Sequence, residues 1–269
     1  MERCRFDHAG GTAPGFGIDI ETNSPDNPCE HIEISDSSFD GNAQAGIGII
    51  TEADDIRITG CTLNGAFINY AGTNVRVYNT MLSGEVNARI GLLMDGETKI
   101  NDGGDEEDIL VASFSAADCP YPFDASHPDE YAPCQYTFRR YEEDDISCKI
   151  YEDNDSFSGK ALCLKREVQG TKEAGWYLNL EELTQDKSSL LEKGAVYRFE
   201  YVVKGSGQWG IKTSQTGWYP CLPMQDKYST GIVTYEADSA ESCRLMLYAV
   251  DRINGMELKI DSIKIYKVR

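Results

Sequence analysis

The sequence predicts an all-β protein, a right-handed parallel β-helix followed by an antiparallel β-sandwich, and three observations predict it. A phrase recurs in the first hundred residues: HIEISDSSFDG (31–41), DIRITGCTLNG (55–65) and NVRVYNTMLSG (74–84). From residue 109 onward the repeat gives way to longer segments that alternate apolar and polar residues at period two. Throughout, runs of Ile, Val, Thr and Tyr are bounded by Gly, Asn and Asp, the vocabulary of strands and tight turns.

The three phrases align in columns: Ile32, Ile56 and Val75; Ile34, Ile58 and Val77; Phe39, Leu63 and Leu82; Gly41, Gly65 and Gly84. Equivalent residues are 24 and then 19 apart, the length of one solenoid coil, and such coils stack at about 4.8 Å. A further strand follows each phrase: AGIGIIT (45–51), AFINYAG (66–72) and ARIGLLM (88–94). The opening CRFD (4–7) is the second half of the same phrase, with Cys4 in the column of Ser37, Cys61 and Thr80, Phe6 in that of Phe39, and GFGIDIET (15–22) as its following strand. A chain that starts inside a repeat is expected to be cut from a longer one that supplies upstream coils or a cap. Cys4 and Cys61 then lie two coils apart, about 9.6 Å, too far for a disulfide. The nine cysteines are odd in number, so at least one thiol stays unpaired within the chain, and a Cys119–Cys134 bond would clip the loop between them.

Residues 1–108 hold 20 acids and 6 bases, residues 109–269 hold 25 and 19, and the acidic run NDGGDEED (101–108) marks the boundary. The expected domains are therefore a partial β-helix over 1–108 and a sandwich over 109–269. A formal charge of −20 repels phosphate backbones and anionic membranes, so neither nucleic acid nor a membrane is an expected partner, whereas a neutral glycan meets no such repulsion. No apolar run reaches the length of a membrane span, and no signal segment opens the chain.

The sandwich strands are expected at AVYRFEYVVKG (195–205), QWGIKTS (208–214), GIVTYEA (231–237), CRLMLYAV (243–250) and MELKIDSIKIYKV (256–268). With SFSGKALCLK (156–165) and LEKGAVYRFEYVVKG (191–205), the closing LKIDSIKIYKV (258–268) resembles the jelly-roll carbohydrate-binding modules found beside glycanases, over roughly residues 145–269. The resemblance implies a structural calcium, which carried over would involve Asp261 and Asp155. The pairing of a β-helix with such a sandwich is similar to carbohydrate-binding module family 89, the xylan-binding modules of xylanases.

Sugar binding in water uses flat rings that stack on pyranose faces, with polar groups fixing the hydroxyls. All three Trp and 13 of 15 Tyr follow residue 108, several in Gly-rich polar surroundings. Trp218 and Tyr219 are the first candidates for a platform, then Trp176 and Tyr177, then Trp209; each ring also fits a sandwich core. In the β-helix, Asp19 and Glu21 alternate with Ile18 and Ile20 and are expected to face outward together, with Cα atoms about 6.5 to 7 Å apart, near the carboxylate separation of inverting glycosidases. The neighbouring coils offer Gly48 and Asn69 there, not further acids. His8 and His31 fall in turns without a catalytic retinue; no GxSxG elbow, zinc spacing or phosphate-binding Gly loop is present.

The expected function is a non-catalytic carbohydrate-binding module for a neutral plant cell-wall polysaccharide, xylan first, within a larger secreted glycan-degrading protein whose attached catalytic domain it holds near substrate. The alternatives are a β-helix glycoside hydrolase or polysaccharide lyase and a phage tailspike fragment.

Overall fold

A computed structural model of the chain describes residues 1–10, 15–22, 24, 27, 29–89, 91–95, 97–100, 108–119, 123–125, 130–131, 138–141, 146–166, 174–179, 191–206, 208–212, 226–237, 244–249 and 257–268, with the backbone alone for those among 123–151 and for 166, 174–179, 208, 212 and 244–249. The fold is all-β: a solenoid of about four turns, with antiparallel sheet after it. Two compact units divide the chain, Met1–Glu107 with Ile232–Tyr235 and Arg269, and Asp108–Gly231 with Glu236–Val268. Among the described residues no helix is long and apolar enough to cross a membrane.

The first unit is a parallel β-helix with three faces. Cys29–Ser35, Ala53–Thr59, Arg76–Tyr78 and Leu92–Met94 stack on one. The second is built from Arg5–Asp7, Ser38–Asp40, Thr62–Asn64, Met81–Leu82 and Lys99–Ile100, and the third from Phe16–Ile20, Ala45–Ile49, Phe67–Asn69 and Val86–Ala88. The apolar columns run in register as expected, Ile34 on Ile58 on Val77 and Phe39 on Leu63 on Leu82, and all six are buried. Phe6 stacks flat on Phe39 with ring centroids 4.9 Å apart.

Corners repeat as faithfully as faces. Arg3, Asp36, Gly60 and Asn79 turn one corner with φ between 44° and 66°, and His31, Asp55 and Asn74 turn another between 52° and 56°. Asp, Asn and Gly tolerate this left-handed region better than most residues, which is why polar residues punctuate each phrase. Inside the first of these corners runs a column of small polar side chains. Cys4 N donates to Ser37 Oγ at 3.1 Å, Cys61 N to Thr80 Oγ1 at 3.2 Å and Thr80 N to Thr98 Oγ1 at 3.4 Å. At these three steps an inward amide of one coil is taken up by the next coil's side chain.

ARIGLLM differs from expectation. Val86–Ala88 belongs to the third face and Leu92–Met94 to the first, because the chain turns between them, where Gly91 adopts φ 103° and its carbonyl accepts from Asn69 Nδ2 at 2.8 Å. Ile232, from the strand Ser229–Glu236, lies in the core of the first unit, and Thr234 Oγ1 accepts from Ala88 N at 2.7 Å. The buried run Gly231–Thr234 lacks the alternation of a one-sided strand.

At its corner, the His31 ring hydrogen-bonds through Nδ1 to Asp55 Oδ2 at 2.8 Å, and Arg76 lies 3.7 Å from the other Asp55 oxygen. The bond to Asp55 raises the pKa of His31 above 6.5 and lowers that of Asp55. The pair's contribution is fully present between the unfolded carboxylate and imidazole pKa values, fades as pH rises through the folded imidazole pKa, and is lost as pH falls through that of Asp55. An NMR titration should place His31 above 6.5, and Asp55→Asn should return it toward that value; equal titration in both proteins would refute the bond.

The second unit consists of two antiparallel sheets. One runs Phe123–Ala125, Ile146–Glu152, Lys160–Arg166, Glu257–Val268, Val196–Gly205, with Ile109–Ser115 also paired to Glu257–Val268. The other runs Glu130–Tyr131, Phe138–Tyr141, Ala174–Asn179, Arg244–Ala249, Gln208–Lys212. Tyr197, Phe199, Tyr201 and Val203 alternate inward with no exposed surface, as period-two patterning requires. Opposite Val202–Val203 the closing strand carries a bulge: Val202 pairs Ser262 and Val203 pairs Ile260, leaving Asp261 as the extra residue. The buried positions accordingly change phase, from Leu258 and Ile260 to Asp261, Ile263 and Ile265.

Candidate functional site

The third face of the β-helix presents two outward columns. Register places Asp19, Gly48, Ile68 and Asn87 side by side on successive coils. Two residues further along each coil stand Glu21, Ile50, Tyr70 and Arg89, held by amide bonds from Ile50 to Ile20 O (3.2 Å), Tyr70 to Ile49 O (2.9 Å) and Arg89 to Asn69 O (2.9 Å). Tyr70 is 37% exposed, and the Arg89 guanidinium lies 5.5 Å from its ring centroid. A planar cation over one part of a ring fixes its orientation and leaves an apolar surface for a second stacking partner. Ile50 and Ile68 are partly exposed beside it, and Asn87 carries the polar edge, its Oδ1 accepting from Thr234 Oγ1 at 3.3 Å.

At the other end of this face, Asp19 and Glu21 lie as expected, partly exposed and exposed. Gly48 leaves its outer side to the Phe16 ring, for a Cβ there would sit 3.0 Å from Phe16 Cε2. Because Gly48 is the register partner of Asp19, that ring covers the column to which the carboxylate belongs. Asp19 Oδ1 is buried without a hydrogen-bond partner among the described residues. Burial, and secondly the neighbouring charge of Glu21, raise the Asp19 pKa above the ordinary carboxylate value.

Asn69 is not in this row. It pairs with Ile49, is fully buried, donates to Gly72 O at 3.0 Å and Gly91 O at 2.8 Å, and accepts from Gly72 N at 2.7 Å. It is an internal corner brace, and Ile68 takes the outward place.

Trp209 is also corrected, from platform to core. It has no exposed surface, its ring centroid lies 4.7 Å from that of Tyr201, and Tyr201 Oη donates to Gly210 O at 2.9 Å. Gly231 packs against it: a Cβ there would collide with the six-membered ring of the indole. Trp176 pairs in register with Arg140 and Leu247, and Tyr177 with Arg139 and Met246, in the middle of the second sheet. The side chains of Trp176 and Tyr177, and all of Trp218 and Tyr219, lie outside the described residues.

The two acids considered for calcium are engaged separately. Asp261 is 3% exposed and its Oδ2 accepts from Ser158 N at 2.8 Å, whereas Asp155 is exposed and paired with Lys204 at 3.1 Å. Lys204 neutralises Asp155, and among the described residues no three His, Cys, Asp or Glu converge as metal ligands. The arrangement does not fit a calcium ion held by this pair.

Cys61 and Cys163 are not poised as nucleophiles. Burial raises the pKa of Cys61, and burial with the nearby Glu257 pushes that of Cys163 up to about 12, so both remain thiols at neutral pH. Cys119 is buried with Sγ 3.6 Å from Ser115 O, and Cys134 lies outside the described residues.

No protein-family model matches the sequence, and no curated protein matches it either. Among solved structures, the chain is similar to the enzymatically active domain of bacteriophage CBA120 tailspike protein 4 at 12% identity and a TM-score of 0.41, covering 90% of this chain and 38% of that one. It is similar to the CBM22-1 xylan-binding domain of Paenibacillus barcinonensis Xyn10C at 10% identity and a TM-score of 0.40, covering 62% of this chain and 99% of that one. For the CBM1 module of BiXyn10A the values are 14% and 0.37, with 59% and 99% covered.

Proposed function

We propose that the chain is a carbohydrate-binding module for a neutral polysaccharide, part of a larger secreted protein, and that the third face of the β-helix is a binding surface. The observation that carries this is Tyr70, a partly exposed ring oriented by Arg89, flanked by Ile50 and Ile68, with Asn87 and Glu21 within the same two columns. Apolar ring area supplies contact with pyranose C–H groups, and amide and carboxylate side chains supply partners for hydroxyls. The charge of −20 favours an uncharged glycan over a polyanion. Xylan is the first glycan to test, because the family 89 resemblance implies it. Trp218, Tyr219, Trp176 and Tyr177 stand as a further aromatic set for the same role.

Native affinity electrophoresis through gels containing xylan, mixed-linkage glucan, xyloglucan or polygalacturonate, with reducing sugars assayed in the same lanes, tests this reading. Retardation by a neutral glycan without sugar release is the expected result. Free migration in every neutral gel would sink it.

A second reading, glycoside hydrolysis, is favoured by the partly buried Asp19 carboxyl, one oxygen of which has no hydrogen-bond partner among the described residues, next to Glu21. Sugar release by the wild type that vanishes in Asp19→Asn, with retardation unchanged, would establish it. On the binding reading Asp19→Asn leaves retardation intact. It also raises the melting temperature at neutral pH slightly, because a carboxyl with a raised pKa contributes stability below its unfolded pKa and loses it as pH rises through the folded one.

A further inference from the structure

The segment Asp153–Gly159 in the second unit is held more firmly than a surface connection requires. Asp153 N donates to Gly159 O at 3.1 Å, and Ser156 N and Oγ donate to Asp153 O at 3.1 and 2.9 Å. Asp153 Oδ1 accepts from Asp155 N at 3.0 Å, and its Oδ2 accepts from Tyr228 Oη at 2.9 Å. From the closing strand, the bulged Asp261 accepts from Ser158 N at 2.8 Å. Asp153 and Asp261 are 8% and 3% exposed, so two nearly buried carboxylates fix this loop. Burying carboxylates is costly unless their oxygens are used, and here loop amides and a phenol use them.

What the loop displays is Phe157, 68% exposed, more than any other large apolar side chain among the described residues. Its ring meets Tyr228 at 6.4 Å between centroids, tilted by 47°. Lys204 Nζ lies 5.6 Å from the Tyr228 centroid and 3.1 Å from Asp155 Oδ2. Single exposed apolar residues are ordinary on protein surfaces. A phenyl ring at the apex of a loop braced by two buried acids differs, because its backbone has little freedom left to lose on binding. The flanking Asp155 and Lys204 cancel in charge while offering an acceptor and a donor, which suits a hydroxylated, uncharged partner.

We infer that the Phe157 loop is a second glycan-contact site of the chain, separate from the Tyr70 face, at which the phenyl ring stacks on a neutral pyranose and Asp155 and Lys204 take its hydroxyls. This rests on the carbohydrate-binding reading above. Two weak sites in one chain raise retention on a polymer far more than on a short oligosaccharide.

The test compares wild type, Phe157→Ala and Phe157→Trp in the gels that retard wild type, with thermal melts of all three. The expected result is an apparent association constant about tenfold lower for Phe157→Ala, restored by Phe157→Trp, with melting temperatures unchanged. Wild-type retardation undiminished in Phe157→Ala overturns the Phe157 site and leaves the carbohydrate reading standing. Weaker retardation that Phe157→Trp does not restore, accompanied by a lower melting temperature, assigns the ring a structural role and overturns it too. Wild type running freely in every neutral gel removes the carbohydrate reading, and this site with it.

Discussion

Tyr70→Ala is expected to lower the apparent association constant for a retarding neutral glycan by at least about tenfold, the scale of one aromatic stacking contact. The ring is partly exposed and lies outside the core cluster, so truncation removes contact surface without opening a cavity. The melting temperature should therefore move little. Tyr70→Phe keeps the ring and should keep most of the retardation. Arg89→Ala should weaken binding less, since it frees the ring's orientation without removing it. Raising the salt concentration should leave wild-type retardation nearly unchanged, because an uncharged ligand has no long-range attraction to screen. Unchanged retardation of Tyr70→Ala would move the site off the β-helix and direct mutagenesis to Trp218 and Tyr219.

The largest stability effect is expected at Trp209 and its counterpart Gly231. Trp209→Ala removes a fully buried indole from between Tyr201 and Gly231 and should cost about 3 to 5 kcal/mol. Gly231→Ala acts from the opposite direction by placing a methyl group where the indole lies; overpacking of this kind costs about 1 to 3 kcal/mol, and more where the backbone cannot yield. The two should be non-additive, with Gly231→Ala far less harmful in a Trp209→Ala background, because the methyl then fills vacated space. Urea unfolding midpoints of the two single variants and the double variant measure the coupling. Simple additivity would mean that the two residues do not share a packing site. Trp209 Nε1 has no hydrogen-bond partner among the described residues, so Trp209→Phe should cost less than its lost volume suggests.

The β-helix columns were legible because a parallel stack repeats the same environment at each coil, and Ile34, Ile58 and Val77 solve one packing problem three times. Asn69 was misplaced for a physical reason. In FIN (67–69) the usual correspondence is inverted: polar Asn69 points inward to brace a corner, and apolar Ile68 points outward. Alternation of polarity cannot reveal such a swap, whereas hydrogen-bond register can. The same inversion hid Tyr70, whose place beside Ile50 and Arg89 follows only once Asn69 is known to lie inside. At Trp209 the glycines beside it in the chain suggested exposure, but the ring is buried against Tyr201 and Gly231. The buried place of Asp261 did leave a trace in the sequence. The apolar residues of LKIDSIKI pass from even numbers, 258 and 260, to odd ones, 263 and 265, and such a phase slip marks a bulge.

The bond from Ala88 N to Thr234 Oγ1 joins residues 146 apart in the chain. During synthesis the strand Val86–Ala88 emerges long before its partner, and its outward amide waits for a segment still untranslated. The last coil therefore cannot reach its final hydrogen-bonded state as a local event on the ribosome; it depends on a closure of long range, the kind that slows folding and prolongs the exposure of unpaired strand edges. A chain truncated before residue 232 should accordingly leave the ribosome with its earlier coils stacked and the Ala88 amide proton exchanging freely with water.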